Sequence, residues 1–110
     1  MSWTLGIANR TTPHSTEDLD ARTGRVLTKV VVCYGDSNTW GADPTGAGRF
    51  PADVRWTGVL QRELGSDYKI IEEGLNGRTT NIEDTIEEDR NGRRQLPPTL
   101  ESHRPFDLIV

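Results

Sequence analysis

A serine flanked by polar residues and glycines marks the first part of the sequence that could do chemistry, the segment Gly35–Gly41 (GDSNTWG). Gly35 permits a tight turn, which would leave the hydroxyl and the backbone N–H of Ser37 exposed. A serine nucleophile needs that presentation. Asp36 and Ser37 also form ordinary turns and helix caps in many proteins, so the spacing alone leaves both interpretations open.

A second glycine-rich segment, Gly74–Thr80 (GLNGRTT), follows about 40 residues later. Its glycines would let backbone N–H groups approach a developing oxyanion beside Ser37 without a Cβ in the way. A plain loop of glycine and asparagine is equally consistent with these residues.

Three apolar runs predict strands. Val30–Val32 is a run of β-branched residues that begins after Lys29 and is closed by Gly35, which is typical of a strand covered on both faces in a parallel sheet. Tyr68–Glu73 predicts a second strand that ends at Gly74, and Phe106–Val110 predicts a third after Pro105.

Two helices are expected between these strands. After a loop rich in glycine and proline (Gly41–Pro51), Asp53 can cap a helix that ends at Gly65. Its apolar stripe consists of Trp56, Leu60 and Leu64, and Trp56 is interpreted as core packing rather than as a ligand contact.

The second helix is expected later in the chain. Asn91–Gly92 predicts a turn, and Pro97 and Pro98 fit the first turn of a helix that runs to about Ser102. Strands that alternate with helices form right-handed βαβ units, so the fold class is an α/β sandwich around a parallel sheet. Ligands bind at the carboxyl ends of such strands, where both glycine-rich segments begin.

Composition narrows the function classes. The chain has 17 acidic and 13 basic residues with a net charge of −4, and its basic residues are scattered, which argues against a nucleic-acid partner. The single Cys33 lies in an apolar run and is expected to be a buried thiol, without a disulfide or metal cluster. No segment is long and apolar enough for a membrane span, so a soluble, cytoplasmic protein is expected. Residues 1–28 lack apolar periodicity and predict a flexible extension before a domain at 29–110.

Three segments in order, Val32–Gly41, Asp53–Leu60 and Ile71–Ile82, resemble SGNH (GDSL-like) hydrolases, and most closely their arylesterase/acyltransferase branch. The resemblance runs from about Lys29 to Val110. It implies a three-layer α/β/α sandwich with a parallel, flavodoxin-like sheet, of which this chain holds the part up to the third strand.

The resemblance also implies roles for individual residues. Ser37 corresponds to the nucleophile, and Gly77, or the adjacent backbone, to the oxyanion donor that acts beside the Ser37 N–H. Asp36, Asn38 and Trp40 would adjoin the substrate pocket, with Asn38 standing where the family usually has leucine. The substrate would be a small carboxylic ester, with no cofactor and no metal. Relatives of this branch include oligomers, so the resemblance adds a second copy of the chain to the expected partners, as a homo-oligomer.

The same resemblance implies that the machinery is incomplete, because the family's oxyanion-hole asparagine and its Asp-x-x-His block would lie beyond Val110. His14 falls in the extension, and His103 precedes the third strand, so it is expected at the amino edge of the sheet, facing solvent. Neither is expected to reach Ser37, since a base must come within about 3 Å or act through one water. The chain alone is therefore expected to be inactive.

Two other classes of function remain open. A flavodoxin-like binder could hold a phosphate at a helix N-terminus, but the Asp36 carboxylate would repel the anion and no glycine-rich phosphate motif is present. A non-catalytic fragment could pair its third strand with another chain.

Overall fold

The computed structural model describes residues 28–110, so all of the predicted extension except Thr28 lies outside the described residues. The elements are β1 (Lys29–Gly35), α1 (Ser37–Trp40), α2 (Trp56–Leu64), β2 (Tyr68–Gly74), α3 (Gly92–Ser102) and β3 (Leu108–Ile109). Their order confirms the predicted alternation of strands and helices.

The three strands form one parallel sheet in the order β2-β1-β3. Val31 in β1 is paired with Ile70 on one side and with Leu108 on the other. Because β1 is central, its residues Val31–Cys33 are buried on both faces of the sheet. The run of valines therefore predicted this strand correctly.

The main core lies between the sheet and α2. It is built from Val31, Cys33, Leu60 and Tyr68, with Trp56, Leu64, Ile70, Leu108 and Val110 packed around them. The predicted stripe of α2 is thus confirmed, as is the interpretation of Trp56. The helix ends at Gly65, whose φ of +78° favours glycine and whose N–H donates to the carbonyl of Gln61.

Asp53 does not cap α2, which corrects the prediction. The helix begins at Trp56 with Arg55 in the cap position and no side-chain hydrogen bond there. The preceding residues form a turn, in which the Arg55 N–H donates to the Pro51 carbonyl (3.1 Å). The turn places the Ala52 carbonyl against Gly58, where a Cβ would overlap it. This packing, rather than a cap, fixes how the chain enters the helix.

The start of α3 also differs from the prediction. Asn91 caps this helix by accepting from the Arg94 N–H (3.3 Å), so Asn91–Gly92 begins a helix instead of forming a separate turn. Pro97 and Pro98 lie inside the helix, not in its first turn. Proline removes a helical donor, but both prolines lie on an exposed part of the helix, where water can satisfy the freed carbonyls.

The third strand is shorter than expected, although its pairing extends further. Its ladder continues past Ile109, because the Val110 N–H donates to the Val32 carbonyl (2.9 Å). Before the strand, Asp107 donates its N–H to the Val30 carbonyl (2.8 Å) and accepts from the Val30 N–H through its carboxylate (2.7 Å).

The second face of the sheet carries α3. Side chains alternate along a strand, so Tyr34 points away from the α2 core, and its hydroxyl donates to the Gly92 carbonyl at the start of α3 (2.6 Å). With α2 on one face and α3 on the other, the described residues form the predicted three-layer α/β/α arrangement. None of the described helices has the length and apolar character to cross a membrane.

Candidate active site

Ser37 is the first residue of α1, directly after the central strand. The Asp36 carboxylate caps this short helix by accepting from the Asn38 N–H (3.0 Å), and the Asp36 carbonyl accepts from the Trp40 N–H (3.0 Å). Ser37 is half-buried and Asn38 is exposed. Asp36 is therefore a helix cap, and the capped helix lies at the carboxyl edge of the sheet with Ser37 as its first residue. The role of Ser37 as a nucleophile stays a prediction.

Two glycines let α1 pack directly on the strand ends. A Cβ on Gly74 would lie 2.6 Å from the Cα of Trp40, and one on Gly35 would lie 2.9 Å from the Cβ of Thr39. Real Cβ atoms do not come so close. The glycines at the ends of β1 and β2 are thus what bring the helix that carries Ser37 against both strands.

The second glycine-rich segment lies beside the first, as predicted. The Leu75 N–H, just after β2, donates to the carbonyl of Gly35 at the end of β1 (3.1 Å). Further along this loop, Gly77 is exposed and has a φ of +80°, a left-handed conformation that other residues rarely adopt. The two glycine-rich segments therefore leave the sheet side by side, at the carboxyl ends of β1 and β2.

Arg78 joins these segments, and sequence reasoning gave it no role. Its Nη1 donates to the carbonyls of Glu73 (2.6 Å) and Gly35 (3.1 Å), and its Nε donates to Oε1 of Gln95 in α3 (3.1 Å). Its guanidinium carbon also lies 4.0 Å from the centre of the Tyr34 ring. The only available signal was an arginine next to a loop glycine, which does not reveal partners 17 and 43 residues away.

A cavity of about 420 Å³ opens at the same edge, on the side of α3. Three parts of the chain line it: the end of β1 with Asp36, the segment 78–81, and the first turns of α3 with Arg93 and Leu96. Tyr34 forms part of its wall. Burial raises the pKa of the Tyr34 hydroxyl, with Arg78 opposing and the Glu73 carboxylate adding to the shift, so this group stays a neutral hydrogen-bond donor.

On the other side of α1, Trp40 is covered by an arginine from the following loop. The Arg49 guanidinium lies 4.9 Å from the centre of the Trp40 ring, and its Nε donates to the Trp40 carbonyl (2.7 Å). These contacts hold the loop after α1 against the helix. Trp40 is half-buried, and its ring is covered by Arg49.

A carboxylate near the end of β2 anchors the same loop. Glu72 binds Arg55 through two hydrogen bonds and also accepts from the Thr57 hydroxyl. The hydrogen bonds from Arg55 lower the pKa of Glu72 to about 2, against the effect of desolvation and with help from Thr57 and Arg49. Glu72 is therefore a structural anion, not a proton carrier at neutral pH.

His103 is not the solvent-facing residue that the sequence predicted. It is half-buried at the end of α3, and its Nε2 lies 3.0 Å from Oε2 of Glu73. Glu73 pairs with Tyr34 in the sheet, so this contact lies toward the carboxyl end of β2 instead of its amino edge. The expectation failed because the long side chains of Glu73 and His103 bridge the distance between helix and strand. His14 lies outside the described residues.

Other reactive groups contribute little at this edge. Cys33 is fully buried, and desolvation, with the Glu72 carboxylate adding to it, raises its pKa to about 11, so the thiol stays protonated.

Within residues 28–110, the hydroxyl and the N–H of Ser37 make no hydrogen bond. No group of three potential metal ligands occurs in that part of the chain.

Solved structures of esterases match this chain. A carbohydrate acetylesterase family member from Sinorhizobium meliloti is 57% identical, with a TM-score of 0.71 over 74% of this chain and 39% of its own. The native aryl esterase of M. smegmatis is 50% identical, with a TM-score of 0.71 over 74% of this chain and 40% of its own. A second carbohydrate acetylesterase from S. meliloti is 43% identical, with a TM-score of 0.69 over 74% of this chain and 40% of its own.

The chain thus spans about 40% of the length of the structures that it matches. No protein-family model matches it, and no curated protein does.

Proposed function

We propose that this chain, which belongs to the SGNH-type family of carbohydrate acetylesterases and aryl esterases, carries the nucleophile of a serine ester hydrolase. The observation that supports this function best is the position of Ser37, at the start of a helix that two glycines hold against the carboxyl ends of β1 and β2. Parallel α/β sheets bind their ligands at this edge.

In the proposed reaction, the Ser37 oxygen attacks the ester carbonyl while its proton passes to a base. The tetrahedral oxyanion is held by the N–H groups of Ser37 and of Gly77 or its neighbour. The intermediate collapses to an acyl-enzyme as the base gives the proton to the departing alkoxide, so a neutral alcohol leaves. Water then attacks the acyl group and releases the carboxylic acid and free Ser37; an alcohol that takes the place of water would receive the acyl group instead.

The base and a further oxyanion donor must come from outside residues 28–110. His103 is the one histidine in that range, and its ring contacts Glu73 rather than Ser37. We therefore propose that activity belongs to a longer protein containing this sequence, with the Asn and Asp-x-x-His groups of the family supplied by its other part. A serine without its base loses several orders of magnitude in rate.

The proposed substrates are small carboxylic esters, and no metal or organic cofactor takes part. The structural neighbours are carbohydrate acetylesterases and aryl esterases, which supports ester substrates. Acetyl esters of phenols are the simplest probes, because their leaving group makes acylation easy to follow.

The test is hydrolysis of p-nitrophenyl acetate. The chain as given should act barely above the uncatalysed rate, whereas the longer protein should turn over and Ser37→Ala should abolish that turnover. Ser66→Ala, at an exposed serine after α2, is the matched control and should behave as wild type. Ordinary turnover by the 110-residue chain that disappears in Ser37→Ala would show that the base lies within it. Retained turnover in Ser37→Ala would remove Ser37 from its role.

A further inference from the structure

We infer that Arg78 is a positioning residue, which fixes the spacing between the segment that carries Ser37 and the loop that carries Gly77. The inference rests on the proposed function and adds a residue to it. Arg78 does not need to touch substrate, because its role is to set where the nucleophile and the oxyanion donor stand relative to each other.

The first observation is the pair of carbonyls that Arg78 holds. One nitrogen, Nη1, donates both to Gly35, the last residue of β1, and to Glu73, next to the end of β2. A single donor between two neighbouring strands sets the separation of their ends at the point where the sheet hydrogen bonds stop. Ser37 lies only two residues after Gly35. A shift in the position of Gly35 would therefore also shift Ser37.

The second observation is that the guanidinium is itself held on the side of α3. Its Nε donates to Gln95 (3.1 Å), and its guanidinium carbon lies over the ring of Tyr34, 4.0 Å from the ring centre. The Tyr34 hydroxyl in turn donates to the Gly92 carbonyl. A planar group with several fixed donors is needed to meet all of these partners at once. Lysine would keep the charge and could reach the carbonyls, but it has no flat face for Tyr34 and no second nitrogen for Gln95.

The third observation separates this role from general folding. The main core lies on the opposite, α2 side of the sheet and does not include Arg78. Loss of Arg78 should therefore loosen the strand ends more than the body of the sheet. Because a misplacement of about 1 Å at a reacting centre can cost about 100-fold in rate, the effect should fall on kcat.

The kinetic test compares Arg78→Met with Arg62→Met in the longer protein that contains this chain. Arg62 is exposed in the last turn of α2 and loses the same charge when replaced. We expect Arg78→Met to lower kcat by about 10- to 100-fold with KM within about threefold, Arg78→Lys to recover part of the loss, and Arg62→Met to match wild type. A kcat within threefold of wild type in folded Arg78→Met would overturn the inference. If Arg78→Met does not fold, Arg78→Lys decides, and wild-type kcat in that variant would overturn it.

A second measurement does not depend on activity and can use the 110-residue chain. The Leu75 N–H reports directly on the contact between the ends of β1 and β2, because it donates to the same Gly35 carbonyl as Arg78. In Arg78→Met its hydrogen exchange should accelerate, while the amide of Val32 in the centre of β1 keeps its protection. Equal acceleration at both amides would mean that Arg78 supports the whole fold and has no positioning role.

Ser37→Ala, assayed in parallel, separates this inference from the proposed function. If Ser37→Ala is inactive and Arg78→Met keeps full kcat, only the positioning role fails. If Ser37→Ala stays active, the proposed function fails. Faster exchange at Leu75 alone would then mean that Arg78 holds the strand ends together without serving catalysis, and the inference would also be overturned.

Discussion

The guanidinium of Arg55 binds the carboxylate of Glu72 at two points, with Nε 2.6 Å from Oε2 and Nη2 2.9 Å from Oε1. The remaining nitrogen of Arg55 donates to the Phe50 carbonyl (3.1 Å), and the Thr57 hydroxyl donates to Glu72. This contact therefore joins three parts of the chain: the loop after α1, the start of α2, and the end of β2. It ties the loop that follows Ser37 to the sheet.

Replacement of Glu72 by glutamine should destabilise the fold. The amide keeps the size of the side chain but removes the charge from a partly buried pair, leaving Arg55 without its counter-ion. We expect a loss of about 1–3 kcal/mol in the free energy of unfolding, below the range for fully buried pairs because Glu72 keeps some exposure. Urea unfolding measures it. Glu101→Gln breaks an exposed ion pair with Arg104 and should change stability by no more than about 0.5 kcal/mol. Equal losses in the two variants would contradict the prediction.

The same pair predicts a pH dependence of stability. Arg55 lowers the pKa of Glu72 from 4.5 to about 2 in the folded chain, so folding favours the ionised form. The contribution is therefore complete above pH 4.5 and is lost as the pH falls toward 2. The difference in unfolding free energy between wild type and Glu72→Gln should shrink across that interval and stay constant above it. Urea titrations at stepped pH measure this difference, and a constant gap down to pH 2 would argue against the assignment.

Gly74→Ala tests how closely α1 packs on the strands. A Cβ at this position would overlap the backbone of Trp40, so the helix that carries Ser37 would have to move. Gly46→Ala is the control, because Gly46 has open space around it and only its φ of +86° disfavours alanine, which costs about 1–2 kcal/mol. We expect Gly74→Ala to lose more stability than Gly46→Ala and, in the longer protein, to lose most of its esterase activity. Thermal melts and the p-nitrophenyl acetate assay measure the two effects.

Much of the sheet could be predicted from local sequence. The valine run indicates a strand buried on both faces, and the central strand of this parallel sheet provides that burial. The α2 stripe was equally clear, because its apolar spacing matches one face of a helix. The four-residue helix α1 was not predicted, since it is too short to show a periodic pattern. The start of α3 was missed because prolines prefer the first turn of a helix, while Asn91 supplies the actual cap six residues before Pro97.

The candidate site was likewise only partly predictable from the sequence. The two glycine-rich loops were predictable, because chain order in a parallel sheet places both at its carboxyl edge. Their support was not, because Arg78 reaches Gly35 across 43 residues and Arg55 reaches Glu72 across 17. Sequence spacing carries no information on which charged side chains meet after a crossover, so these contacts become visible only once the strands are paired.

In the part of the chain that the structure describes, β3 lies at one edge of the sheet. Ile109 on this strand is 37% exposed, and an open strand edge presents N–H and C=O groups that another chain can pair with. We therefore expect the 110-residue chain to be weakly stable and to associate through this edge at micromolar concentration. Sedimentation velocity measures the association, and a thermal melt measures the stability.

Two lysine variants separate pairing at this edge from general hydrophobic association. Ile109→Lys puts a charge on the edge strand and should reduce association. Ile86→Lys removes an even more exposed isoleucine, 90% accessible, from the loop between β2 and α3, and should leave association unchanged. If both variants reduce association equally, exposed apolar surface and not strand pairing is the cause. A monodisperse wild-type monomer that melts cooperatively above about 60 °C, the upper range for domains of mesophiles, would mean that the edge needs no further cover, and the expectation of weak stability would be wrong.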